Sequence, residues 1–146
     1  MGKSRAATII ATFSLCSRAN PDQKSVRINS PEDVVKVLSF IRNKKREYFV
    51  ALYLDAENKL ITHEIISIGS LDASLVHPRE VFYPAIQHKA VSIIIAHNHP
   101  SGNLTPSSHN IQITKTLSRA SQILNLNLID HLIITQNSYT SLKKFI

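Results

Sequence analysis

Apolar positions along the chain fall into two periods, and the change from one to the other marks the elements. Val34, Val37, Leu38 and Ile41 recur at spacings of three and four, which predicts a helix with one buried face. Asn29 or Ser30 can cap it, Pro31 suits its first position, and Glu32 and Asp33 place negative charge in its first turn. "EYFVALYLD" (47–55) and "LITHEIISIG" (60–69), rich in aromatic and β-branched residues and separated by the polar turn "AENK", predict a hairpin. "HPREVFYPAIQHK" predicts a second helix with Val81, Phe82, Ala85 and Ile86 inward, and Pro84 near enough to its start to be tolerated. The near-continuous apolar run "AVSIIIA" reads as a strand buried on both faces. Ser107 can cap a third helix running to about Asn125, with Ile113 or Thr114, Leu117, Ala120 and Leu124 on its inner side. "LIDHLIIT" and "SYTSLKKF" predict a closing hairpin around "QN". This alternation gives an α/β or α+β fold, a mixed sheet flanked by helices.

A chain of 146 residues has room for one core, and the pattern divides it into an N-terminal extension, 1–24, and a single domain, 25–146. No apolar run approaches the roughly 20 residues that cross a bilayer, so no membrane partner is expected. Lys3 and Arg5 before "AATIIATFSLCS" give a weak likeness to a signal peptide, but Arg18 stands where cleavage wants small residues, and the stretch reads better as a short strand. The single cysteine, Cys16, excludes an internal disulfide and points to a reducing, cytoplasmic location. The formal charge of +7 is concentrated in "RNKKRE" (42–47) and near Lys143 and Lys144. A nucleic-acid partner through this basic surface is one reading; the preferred one is a basic helix C-terminus that complements the helix dipole. Only Tyr48 lies beside the patch, so the interleaved aromatics of a single-strand binder are missing.

The chemistry gathers at "AHNHPSGNLTPSSHN" (96–110). In a strand, residues two apart share a face, so His97 and His99 leave the strand end side by side, as two ligands of one ion would. Ser107 follows His99 after seven intervening residues, and Asn110 falls on the third position of the next helix, where it offers an oxygen ligand. Pro100, Gly102 and Pro106 suit the sharp reversal between them.

"HNHPSGNLTPSSHN", preceded by "LVHPREVFYPAIQHKAVSIIIA" and followed by "LNLIDHLIITQNSYTSL", closely resembles the RadC family, bacterial members of the JAB/MPN (JAMM) group of metalloproteins. The likeness covers Ser25 to Ile146 and implies the JAB/MPN, cytidine-deaminase-like architecture, in a stand-alone form without the helix-hairpin-helix segment of longer RadC proteins. It implies a zinc (Zn2+) metalloprotease or isopeptidase site: His97 and His99 as zinc ligands, Ser107 near the oxyanion, and Glu47, which opens the first strand, as general base. Glu64 is the fallback for that base, and Glu80 a more remote one. The departure lies at Asn110, where the group has an aspartate ligand. A neutral amide oxygen weakens the hold on zinc, and His109 next door is the alternative third ligand. His77, His88 and His131 read as structural, Asp130 as bonded to nearby backbone, and Arg79 as paired with an acidic neighbour.

Two functions of different class follow. One is a zinc-dependent hydrolase of amide or isopeptide bonds acting on a protein or peptide substrate of unknown identity. The other is a RadC-like binding module for DNA or a protein, with weak or no metal because of Asn110; the family's historical DNA-repair label bears on this second reading. Neither the substrate nor the oligomeric state is legible in these residues.

Overall fold

The computed structural model describes residues 26–69 and 76–146. Cys16, the expected N-terminal strand, the "RANPDQK" turn and the 24/25 boundary lie outside the described residues. Five strands form one mixed sheet in the order β2-β1-β3-β4-β5: β1 (Tyr48–Leu54), β2 (Leu60–Ile68), β3 (Ser92–Asn98), β4 (Asn127–Ile134) and β5 (Tyr139–Ser141). β1 is antiparallel to both β2 and β3, β3 and β4 run parallel, and β5 returns antiparallel to β4. Among the described residues the α-helices are α1 (Pro31–Val37), α2 (Pro78–Gln87) and α3 (Ser108–Ile123). α3 connects β3 to β4, the long crossover that a parallel pair requires. Among the described residues no helix is long and apolar enough to cross a membrane.

Alternation in the central strands builds two cores. Phe49, Ala51, Tyr53, Ile93 and Ile95 point to one face, where Val81, Phe82 and Ala85 of α2 and Ile113 and Leu117 of α3 cover them. Val50, Leu52, Leu54, Ile94 and Ala96 point to the other face, against Val34, Val35, Leu38 and Ile41. Every residue of β3 is therefore buried, as its continuous apolarity requires. Asp33 accepts from the backbone N–H groups of Asn29 (3.1 Å) and Ser30 (3.2 Å) and so secures the start of α1. Both α2 and α3 end on a left-handed residue, Lys89 and Asn125, with the following N–H reaching back to Ala85 O and Ser121 O at 2.9 Å.

Three details depart from the sequence pattern. The basic stretch 42–47 is not a helix end: α1 stops at Val37, a 3-10 turn spans Ser39–Ile41, and an open loop leads to β1. Burial of Leu38 and Ile41 steers the chain onto the sheet, and the loop carbonyls are satisfied by a side chain, Asn98, rather than by helical bonds. Ile86 lies 57% exposed, because the inward face of α2 runs through Val81, Phe82 and Ala85. Leu124 is likewise exposed, and Leu126, beyond the end of α3, packs on the core in its place.

Candidate metal centre

The period of two that builds the core also aims the histidines. His97 is odd-numbered like Ile93 and Ile95, so it points to the α3 side of the sheet, is fully buried and stacks on Phe49 with ring centroids 6.0 Å apart. His99 lies just past the end of β3, half-buried at the mouth of a cavity. Its Nε2 stands 3.0 Å from Nε2 of His97.

A chain of hydrogen bonds runs inward from this pair. His97 Nδ1 is 2.8 Å from His131 Nε2, His131 Nδ1 is 2.6 Å from Thr114 Oγ1, and Thr114 Oγ1 is 2.7 Å from the carbonyl of Asn110. At the outer end His99 Nδ1 donates to the carbonyl of Asn103 at 2.6 Å. Burial pushes the His131 imidazole down to about 3 and the His97 imidazole well below its ordinary range, with the neighbouring imidazoles adding to both, so each is neutral and carries one N–H.

Each of two proton arrangements leaves one of these contacts without a hydrogen, the first the Thr114–Asn110 contact and the second the His97–His99 contact. In the first, Thr114 donates to His131, His131 Nε2–H to His97, and His97 Nε2–H to His99. In the second, Thr114 donates to the Asn110 carbonyl and accepts from His131 Nδ1–H, and His97 donates its Nδ1–H to His131 Nε2. The second leaves two bare Nε2 atoms facing each other, with no change in the number of protons. Two bare nitrogens in contact require a shared cation, and two nitrogens bound to one tetrahedral zinc lie roughly 3.3 Å apart. The histidine pair therefore fits the zinc that the sequence resemblance implies, with small movement.

The other expected residues fall around the pair. The β1–β3 register ends with Phe49 paired to His97, and Glu47 and His99 each lie two residues beyond that pair, at the same end of the sheet. Glu47, His99, Ser107 and Asn110 line one open cavity of about 510 Å³. Glu64 is elsewhere, on β2, bonded to His88 Nε2 at 3.1 Å, and Glu80 pairs with Arg79 on α2. Ser107 caps α3: its Oγ accepts from Asn110 N at 3.0 Å and donates to Asn110 Oδ1 at 2.8 Å. Asn110 Oδ1 also accepts from Ser107 N at 2.9 Å, so both of its lone pairs serve the cap. Ligation by Asn110 needs that cap to open, and an oxyanion role for Ser107 needs its hydroxyl to swing away from Asn110. Among the described residues no group of three or more His, Cys, Asp or Glu gathers to hold an ion, so His109 does not join the pair. His109 Nε2 is instead buried without a hydrogen-bond partner among the described residues.

Two roles were not legible in the sequence. Asn98, between the histidines, accepts from Tyr48 N at 2.7 Å and donates to Arg46 O at 3.0 Å, which ties the segment carrying Glu47 to the end of β3. Its buried side chain points to the face opposite His97, as alternation demands. His131 and Thr114 hold the buried side of His97, and only the pairing of β4 with β3 and the packing of α3 brings them there.

The family model of the RadC-like JAB domain matches residues 28–145, the span that contains every one of these groups. The chain belongs to the RadC-like JAB domain family. Similar relatives include UPF0758 proteins of Methanosarcina mazei, 42% identical over 146 residues, and of Protochlamydia amoebophila, 44% identical over 146 residues. These alignments cover 98% of this chain and 64% and 63% of the relatives. A UPF0758 protein of Geobacillus sp. (strain WCH70) is 45% identical over 147 residues, covering 99% of this chain and 65% of its own. The JAB domain chain thus spans a little under two thirds of the length of the curated relatives it matches.

Proposed function

We propose that this JAB domain is a zinc-assisted hydrolase of amide or isopeptide bonds. The observation that carries the reading is the pair of Nε2 atoms, 3.0 Å apart, at a cavity that Glu47 also lines. His97 and His99 are the residues that hold the ion. When bound there, zinc supplies Lewis acidity for the scissile carbonyl and acidifies water. Glu47 takes a proton from the attacking water as the new C–O bond forms. It returns that proton to the amine nitrogen as the C–N bond breaks. Asn98 keeps Glu47 in reach by holding the backbone on both sides of it. His131 and Thr114 fix the ring of His97 and the direction of its lone pair.

The test is hydrolysis of a panel of linear peptides and ε-lysyl isopeptides, followed by mass spectrometry, for the native protein and Glu47→Gln with zinc supplied. Release of amine that needs both zinc and Glu47 is expected; equal rates for the two proteins would overturn the reading. A second reading, a binding module with weak metal, is favoured by one observation, the engagement of Asn110 Oδ1 in the α3 cap. A module of that kind keeps its partner affinity in Glu47→Gln.

A further inference from the structure

Beside the histidine pair lies an open groove of about 740 Å³, lined by three loops: 42–45 before β1, 99–104 after β3, and 135–138 after β4. Its position follows from the topology. β3 and β4 are parallel, so the loops after their carboxyl ends open to the same side, where α/β sheets hold their ligands. His99 and Ser101 line both this groove and the cavity of Glu47, so the two are continuous.

Among the described residues the lining holds Arg42, Lys44 and Lys45 and no carboxylate. The ion pairs of Glu57, Asp33, Glu80 and Glu64 do not use these three cations. Arg42 is anchored, because its Nε donates to the Thr135 carbonyl at 3.0 Å, which fixes the guanidinium plane and leaves its terminal nitrogens for a ligand. An anchored guanidinium fork suits a planar carboxylate taken at two points. Lys44 is held over the Tyr48 ring at 5.7 Å, and Lys45 is exposed. The lining carries no Phe, Tyr or Trp, and its one aromatic ring, that of His99, is engaged with His97, so the row of stacking side chains that single-stranded nucleic acid uses is missing.

We propose that this groove binds an acidic peptide segment, the flank of the polypeptide whose amide bond meets the histidine pair. The assignment rests on the amide-hydrolase reading and adds its substrate class: chains with Asp or Glu within a few residues of the cleaved bond.

The test reads binding apart from turnover. Fluorescein-labelled hexaglutamate, hexaglutamine and dodecathymidylate are titrated by anisotropy against the native protein, Lys44→Glu/Lys45→Glu and Arg42→Gln, with folding of each variant checked by circular dichroism. The expected result is binding of hexaglutamate that weakens with salt, falls at least about tenfold in the double lysine variant, and exceeds that of either other probe. The exposed lysine pair keeps the test sound should Arg42→Gln disturb the Thr135 loop. Equal binding of hexaglutamine, tighter binding of dodecathymidylate, or unchanged affinity in the double variant would each overturn the proposal. Isopeptides with glutamate or glutamine flanks then separate the two claims. Glu47-dependent cleavage indifferent to the flank removes the groove assignment alone. Groove-dependent binding without cleavage of either removes the hydrolase reading and leaves the acidic-peptide surface.

Discussion

Asn110→Asp probes the position at which the sequence resemblance implies an aspartate ligand. Asn110 is 4% exposed, and its Oδ1 accepts from Ser107 N and Ser107 Oγ at 2.9 and 2.8 Å. Aspartate keeps that oxygen and replaces the NH2 group, a donor only, with a second oxygen able to ligate. The α3 cap therefore survives while the cavity gains a negative charge. Two unit charges about 4 Å apart at an effective dielectric constant of about 20 attract by about 4 kcal/mol, and a divalent ion doubles this to about 8. Desolvation of the buried carboxylate takes back several kcal/mol. A net gain of about 3 kcal/mol remains, roughly a hundredfold in the Kd for zinc. Competition with a chromogenic chelator measures it for the native protein, Asn110→Asp and Asn110→Ala. If Asn110→Asp binds zinc no more tightly than the native chain, position 110 does not face the ion and the reasoning fails.

Asn98→Ala removes the groups that hold Tyr48 N and Arg46 O from a buried site, and is expected to cost about 2–3 kcal/mol in urea unfolding and to lower hydrolysis more than zinc affinity. His131→Phe takes the fixing partner from His97 Nδ1 and should weaken zinc binding by about 10–100-fold, with the 15N shifts of His97 reporting loss of a single tautomer. In the presence of chelator, stability should fall with acid. Burial holds His131 near 3 and His97 far below its usual range, whereas both take up a proton near 6.5 when unfolded, so the unfolded chain binds more protons below that value. Their contribution is complete above about pH 6.5 and drops by about 1.4 kcal/mol per pH unit for each imidazole as the pH goes from 6.5 to 5. A urea midpoint unchanged between pH 7.5 and 5 would contradict it. Ser107→Ala removes the α3 cap and should cost about 1 kcal/mol, readable in the same experiment.

The elements were legible because burial writes its period into the sequence: β3 as an unbroken apolar run, α1 from Pro31 and its acidic first turn, α3 from Ser107. The histidine pair was legible for the same reason, since alternation alone sets His97 and His99 on one side. The basic stretch misled because charge at 42–46 fits a helix end as well as a loop, and what decides between them is Asn98, a residue some fifty positions away. His131 looked structural because nothing in "LIDHLIIT" reveals that its strand pairs with β3 beside His97. The double use of Asn110 Oδ1 was open to partial inference, since Ser107 and a residue three positions on match a capping box, but the same spacing matches a ligand set. Pattern reports which face a side chain takes, and the packed fold decides which partner it meets there.

The most direct measurement is the zinc stoichiometry of the native protein beside His97→Ala and His99→Ala, by elemental analysis after equilibration with zinc and gel filtration. About one zinc per native chain, lost in both variants, is the result expected of a histidine pair that holds the ion. Zinc content unchanged by either substitution, or a native chain that retains none, would contradict it.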